Sequence, residues 1–353
     1  MKKVSAEKLG RFVGDVLASC GVDSSGSEAV SQSLVQANLR GIDSHGVRLL
    51  PTYAESADKG GVNKHPKINV KQTFPSCCCV DADNGFGAAA GFRAIDECIK
   101  IAENQGIGIA SVINSSHCGY MAAYTLRAAA KGYMAFSFTN TGSAMLSYNG
   151  TKKYIGTNPI CFAAPREESD PFCVDLATTA RTYNSVELAR LTGSKLDEGH
   201  YADAQGEITT DPWKSAMLLP SGGHKGFALG MMVEVLCSTL SGMAFGPHTV
   251  PMYGPNSDPA NKRQICQTYV VFRPDFCIPA DQFKRSLQQM TDEVRSQPAH
   301  EGKHVMMPGD PEINFVVQRS QHGIPLDDST WLELTKLGEK YGVLLPPIVS
   351  DQD

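Results

Sequence analysis

The sequence predicts an α/β fold with helical segments at both ends. Three observations carry this: helical spacing of apolar residues from Ser5 to about Gly60, strand-and-helix alternation from the SCCCVDAD stretch through Thr179, and a mostly helical reading after TYVVFRP.

In the first segment Leu9, Phe12, Val13, Val16 and Leu17 recur at three and four, with Ser5 placed to cap. Further helices are expected over about Ser27–Arg40 and Val47–Lys59. SCCCVDAD reads as a strand followed by a helix opening after Gly87. GIGIASVI, Gly106–Ile113, is a strand, and AAYTLRAAAKG a helix closed by Gly132. MAFSFTN, ICFAAP and FCVDLATT read as further strands. A polar stretch, Thr192–Trp213, precedes the apolar segment Gly226–Gly246, which reads as a central helix buried in protein. Pro247–Lys262 is a loop, TYVVFRP a strand, and HVMMPGD a short strand within the helical remainder.

With 353 residues and 42% hydrophobic content the chain can build one large or two modest cores. A net charge of -5, with 32 scattered Lys and Arg, argues against nucleic acid as a partner. The eleven cysteines show neither C-x-x-C pairs nor the spacing of a secreted scaffold, which suggests reduced thiols in a cytosol. Three adjacent cysteines, Cys77 to Cys79, alternate between sheet faces and cannot close around one metal ion, so no metal site is expected. MKKVSAEKLGRF lacks the apolar core of a signal peptide. Gly226–Gly246 is long enough to span a bilayer, but Glu234 at its centre and its five glycines argue against spanning. The expectation is a cytoplasmic protein with no membrane partner.

Four motifs could carry chemistry. GFGAAAG, Gly85–Gly91, follows a strand and opens a helix as a dinucleotide fingerprint does, but its third glycine is one residue late. A strand-to-helix turn of small residues for close packing is the better reading. PSGGHKGFALG offers two bendable glycines and a helix beginning near His224, whose free N–H groups suit an anion. Lys225 in its first turn opposes the helix dipole, which a bound diphosphate would compensate; a surface lysine at a fraying end is the alternative. In RGIDSHGVRLL, Ser44, His45 and Arg48 crowd a corner where an arginine can grip a carboxylate beside an imidazole, unless Asp43 and Ser44 simply cap a helix. In NSSHCGY, His117 either fills a turn or presents an imidazole that can exchange a proton with a hydroxyl.

Taken together, RGIDSHGVRLL, NSSHCGY, GTNPICFAAP, VDLATT, ITTDP, GGHKGFALGMMVEVLCSTLSGMAFG and MMPGDPE resemble the type-2 malate/L-lactate dehydrogenase family, in order and spacing, from about residue 5 to 345. The resemblance implies an NAD(P)-dependent oxidoreductase with a mixed-sheet malate/L-lactate dehydrogenase-like fold that is not a Rossmann fold, usually a homodimer. It implies a helical domain of residues 1–75 with 280–353 and a cofactor domain of residues 76–279. His117 matches the family's proton acceptor or donor, and His45 the histidine of its SHG motif. Asn140, Thr141, Asp175, Leu176, Ala177, Thr178, His224, Lys225, Gly309 and Asp310 match cofactor-contacting positions. Ser44 and Asn158 fall in the substrate cleft.

There are three departures from the family pattern. Leu49 stands where relatives carry the motif's arginine, and Arg48 is one earlier, a rotation of about 100° on a helix. Asn184 and Ser185 replace Gly-Lys, removing a cation near the cofactor groove. Cys118 replaces an aromatic or small residue. The expected reaction is hydride transfer between NAD or NADP and C2 of a small 2-hydroxy or 2-keto acid, malate or lactate before ureidoglycolate. A nucleotide-binding relative with weakened catalysis is the alternative.

Overall fold

A computed structural model describes residues 1–167, 170–253 and 257–349. After a short strand β1 (Lys2–Val4), helix α1 (Ala6–Ser19) buries Leu9, Phe12, Val13, Val16 and Leu17, and Ser5 caps it by accepting from the Lys8 N–H at 3.3 Å. α2 (Ser24–Leu39) starts earlier than its apolar spacing suggests because Asp23 is the cap, accepting from the Gly26 N–H at 2.8 Å. Two 3₁₀ turns, Asp43–His45 and Val47–Leu49, then lead into α3 (Leu50–Lys59). The helix expected from Val47 therefore begins as tighter winding, with Pro51 in the first true α turn.

The strands β2 (Asn69–Phe74) and β3 (Cys77–Asp81) form a hairpin, and α4 (Gly87–Gln105) crosses over to β4 (Ile107–Ser115), which is parallel to β3. Next come α5 (Ala122–Ala130), β5 (Met134–Thr139), β6 (Met145–Leu146), β7 (Lys153–Ile155), β8 (Ile160–Ala164) and β9 (Phe172–Leu176). α6 (Tyr183–Thr192), β10 (Tyr201–Ala202) and β11 (Met217–Leu218) precede α7 (His224–Glu234), which continues through a π turn, Val235–Thr239. The chain returns through β12 (Ile265–Phe272) and ends with α8 (Ala280–Arg295), α9 (Asp310–His322), β13 (Ile324–Leu326) and α10 (Asp328–Tyr341).

The main sheet runs β2-β3-β4-β12-β5-β8-β9, and only β3 and β4 are parallel. This is a mixed sheet and not a doubly wound parallel one. A second sheet runs β10-β11-β6-β7, and β1 pairs with β13, tying the two ends of the chain together. One apolar cluster extends from α1 and α2 through α4 and α5 to β3, β4 and β12, so the terminal helices share a core with the sheet.

Several elements differ from expectation. β2 lies between the last expected helix and the SCCCVDAD strand, where no element is expected, and is an exposed edge strand whose residues show no apolar alternation. α6 was not anticipated; only Val186 and Ala189 of it are buried. HVMMPGD forms no strand: Pro308 lacks an N–H, and the Met307 N–H donates at 2.8 Å to Asp310, folding the segment onto the start of α9. The apolar segment is helical but not enclosed in this chain, for Leu229, Met232, Val235 and Leu240 are exposed. All eleven cysteines are free, Cys78 facing the core while Cys77 and Cys79 point the other way, and no metal-binding cluster occurs among the described residues. Among those residues no helix is long and apolar enough to cross a membrane.

The glycines of GFGAAAG are packing glycines. A Cβ on Gly87 would lie 2.3 Å from the Ser116 carbonyl and 2.7 Å from that of His117, and one on Gly91 would meet the rings of Tyr124 and Tyr269. The Gly87 N–H also donates to Ser116 Oγ at 3.0 Å. Gly87→Ala should destabilise the fold by about 1–3 kcal/mol and displace the His117 backbone. A lowered melting temperature with reduced turnover in the surviving folded enzyme is the expected result.

Candidate active site

His117 lies two residues beyond the C-terminal end of β4, where the chain leaves the sheet. Tyr53, on α3, meets its Nδ1 at 2.6 Å, and the Gly119 N–H approaches the same nitrogen at 3.3 Å. Nε2 is thus the nitrogen left for a ligand. Gly119, at φ +71°, has no room for a Cβ, which would lie 2.7 Å from Ser33 Oγ. Tyr53 falls on the buried face of α3 with Leu50, Ala54 and Ala57. Its hydroxyl is the polar end of a core residue and finds its partner in the histidine.

His45 stacks on His117 with ring centroids 6.0 Å apart, and its Nδ1 lies 2.9 Å from Ser44 Oγ. The corner that holds it is built from α2 and α9. Asp43 receives Asn38 Nδ2 at 2.6 Å and two nitrogens of Arg319 at 2.6 and 2.9 Å, while Asn38 Oδ1 accepts the Val47 N–H at 2.8 Å. Gly46 must lack a Cβ, which would lie 2.3 Å from Asn38. Burial pulls both imidazoles down, His117 to about 3 with His45 and Arg263 adding to it, and His45 to about 4 with Arg48 adding. Each ring is neutral at physiological pH.

Arg48 points to the surface, donating to Asn184 and pairing with Glu187 at 3.4 Å, its side chain 39% exposed. Asn184, one of the two residues that replace the family's Gly-Lys, therefore helps to hold Arg48. Ser185, the other, donates to the Thr182 carbonyl at 2.5 Å and lies 2.8 Å from the Tyr201 hydroxyl. A second arginine, which sequence reasoning missed, is Arg263, only 6% exposed and electrostatically coupled to His117, Tyr53 and Tyr253. No local periodicity marks it, because its neighbours come from other strands and helices. Cys118 is buried and 3.5 Å from Met121.

The expected cofactor positions form a connected polar chain. Asn140, just past β5, accepts the Cys266 N–H at 2.8 Å, and its Nδ2 is buried without a partner. The Thr141 N–H donates to Asn158 Oδ1 at 3.2 Å, and Thr141 Oγ1 accepts the Thr157 N–H at 2.9 Å. Asn158, fully buried, donates to the Gly230 carbonyl at 3.0 Å and to Glu234 at 2.6 Å. Glu234 in turn accepts the Gly246 N–H at 2.8 Å. Thr178 Oγ1 donates to the Thr157 carbonyl at 2.9 Å, and its own carbonyl accepts the Ser221 N–H. A Cβ on Gly226 would lie 2.7 Å from that carbonyl, so the first turn of α7 sits against Thr178.

No side chain caps α7, Gly222 and Gly223 both have positive φ, and Gly222 has open space beside it. Lys225 and His224 occupy the first turn, His224 edge-on to Tyr148 at 5.9 Å. Asp175 accepts the Ala122 N–H at the start of α5 at 2.9 Å; Leu176 beside it is exposed, and Ala177 partly so. Gly309, at φ +95°, lies against β9 at Cys173, and Asp310 is held by Arg295 at 2.7 and 3.1 Å.

The malate/L-lactate dehydrogenase profile matches residues 4–335. The chain belongs to that family. It is 34% identical to malate dehydrogenase of Pyrococcus horikoshii, over 97% of this chain and 96% of that protein. It is 31% identical to the NAD(+) ureidoglycolate dehydrogenase of Escherichia coli K12, over 93% and 94%. The fold superposes on malate dehydrogenase from Entamoeba histolytica with a TM-score of 0.92 at 27% identity, over 98% of this chain and 99% of that one. Like its family, the chain is an oxidoreductase, and its mixed sheet is the family's fold.

Burial lifts Asp175 from 3.8 to about 7, against the Ala122 N–H, with Glu312 adding. The folded state then holds a proton that the unfolded chain releases between about pH 4 and 7, so this group's contribution is lost as pH rises through that window. Asp175→Asn keeps the acceptor for Ala122. In the apoenzyme its melting temperature should exceed that of the wild type by a margin that opens from pH 4 to 7 and is constant above.

Proposed function

We propose that this chain moves a hydride between NAD or NADP and C2 of a small 2-hydroxy acid, malate or lactate first. The observation that carries the reading is the 2.6 Å contact of Tyr53 with His117 Nδ1, which leaves Nε2 free beside a second neutral imidazole. In the oxidising direction the ring hydrogen sits on Nδ1 and is donated to Tyr53, the 3.3 Å approach of the Gly119 N–H then being no hydrogen bond, and Nε2 takes the proton of the substrate hydroxyl. The doubly protonated ring returns it when the keto acid is reduced. Tyr53 stays a neutral phenol, since burial holds its pKa well above the ordinary value. His45, fixed by Ser44, orients the substrate.

The residues present fit a dinucleotide. The uncapped start of α7 with Lys225 and His224 would hold the diphosphate, and the partnerless Asn140 Nδ2 offers a buried donor. Thr141, Asp175 to Thr178, and Gly309 with Asp310 would complete the groove. Asn158, with its amide spent inside the protein, positions Thr141 and α7. When bound, the nicotinamide supplies the carbon that exchanges the hydride. Ureidoglycolate stands second, on the 31% identical relative of that name.

Solved structures of relatives superpose over the whole chain, and the exposed Leu229, Met232, Val235 and Leu240 suit a second copy of the chain as a homodimer. Eleven free thiols suit the cytoplasm.

A panel of 2-hydroxy acids with NAD and NADP, followed by NADH absorbance, tests the reaction. His117→Ala should retain NADH binding and lose about 10²–10⁴-fold in turnover. NADH binding by the wild type with no turnover of any acid would favour a nucleotide-binding relative with weakened catalysis. For the assembly, light scattering should give a dimer for the wild type and a monomer for Leu229→Glu/Val235→Glu; an unchanged mass would move the interface elsewhere.

A further inference from the structure

The reaction above requires a cation for the substrate's carboxylate, and Arg48 is already engaged by Asn184 and Glu187. Three independent constraints put another guanidinium beside His117. The first is sheet register. Ile265, which opens β12, stands opposite Ser115, which closes β4, so the chain just before β12 and the chain just after β4 leave the sheet side by side. The second is the loop before β12, pinned to α3 where Ser56 donates to the Pro259 carbonyl at 3.2 Å. Ser56 and Tyr53 lie three apart on one face of that helix, so the pinned loop approaches the residue that holds His117. The third is the backbone at Gln264, whose φ of +51° turns the chain out of the strand between Arg263 and the sheet.

Arg263 is buried, and its Nη1 has no hydrogen-bond partner. Among the described residues no carboxylate pairs with it. A buried, uncompensated guanidinium is unfavourable in the free protein and is relieved when an anion arrives. Burial accordingly holds its pKa below the ordinary arginine value. By contrast, the chain's other buried site arginine, Arg319, has Asp43 for a partner.

We propose that Arg263, and not Arg48, grips the substrate's C1 carboxylate, with two parallel hydrogen bonds from one edge of its guanidinium. The inference rests on the 2-hydroxy-acid reading for the identity of the ligand, but the carboxylate site can be tested without turnover. Gripped at C1 by Arg263, a 2-hydroxy acid presents to Nε2 of His117 the oxygen on C2, the carbon bonded to the anchored carboxylate. The displaced arginine of the SHG corner then needs no direct replacement on its own helix. Its charge enters from the opposite side of the cleft.

The experiment titrates oxalate calorimetrically into the enzyme–NADH complex and measures kcat/KM for the hydroxy-acid panel, using wild type, Arg263→Met, Arg263→Lys and Arg48→Met. Arg263→Met should weaken oxalate on the order of 100-fold and raise KM correspondingly, with NADH affinity unchanged and the melting temperature of the free protein not lowered. Arg263→Lys keeps the charge and loses the fork, and should fall between. Should the Met variant fold poorly, the Lys variant still decides: full oxalate affinity in it overturns the proposal. So does unaltered oxalate binding in Arg263→Met, loss of binding in Arg48→Met alone, or no oxalate binding by the wild type. If oxalate binding depends on Arg263 while the wild type oxidises no 2-hydroxy acid, the carboxylate site stands and the substrate reading falls.

Discussion

The register of one strand sets the site. β12 lies antiparallel between β4 and β5, pairing Ile265 with Ser115 and Gln267 with Thr139. The C-terminal ends of β4 and β5 therefore emerge together at the end where β12 begins. β8 and β9 continue the pattern, since Ile160 pairs with Phe138 on one side and with Leu176 on the other. His117, Asn140 with Thr141, Asn158, Asp175 to Thr178 and Arg263 consequently leave one edge of a single sheet. The buried Gln267 secures that edge, donating to Ser115 at 2.9 Å and to the Gly87 carbonyl at 3.3 Å, while Tyr269 donates to its Oε1 at 2.5 Å. These are bonds inside the core, where leaving a donor unmade is costly.

Polarity at that edge is divided into two kinds. Around Asn158 and Glu234 nearly every donor has its acceptor within the protein, which makes a rigid floor. Around His117 the groups are neutral rings and a buried guanidinium with an unused nitrogen. The first arrangement fixes geometry. The second is poised for a ligand that carries negative charge and a transferable proton.

Much of this was legible in the sequence because it is local. The spacing of Leu9, Phe12, Val13, Val16 and Leu17 needs only one helix to be read, and the seven ordered motifs identify the mixed sheet as a family fold. The two histidines were legible for the same reason, each lying in a short motif of its own. Tyr53 was within reach, since its place at three from Leu50 puts a hydroxyl on a buried helix face. Arg263 was not. His117 and Tyr53 are separated from it by more than a hundred residues, and only the pairing of β12 with β4 and the loop pinned to α3 bring them together. β2 was hidden because an edge strand needs no apolar alternation, and HVMMPGD misled because apolar residues beside a proline need not pair with anything.

A π turn at Val235–Thr239 continues α7. Its wider winding places five residues where a regular helix has fewer, and Thr268 Oγ1 meets the Leu236 carbonyl at 2.7 Å. The insertion changes the angular phase between the two halves of the helix. The half before the π turn and the half after it need not obey one common periodicity, so the sequence of each can drift without rotating the other.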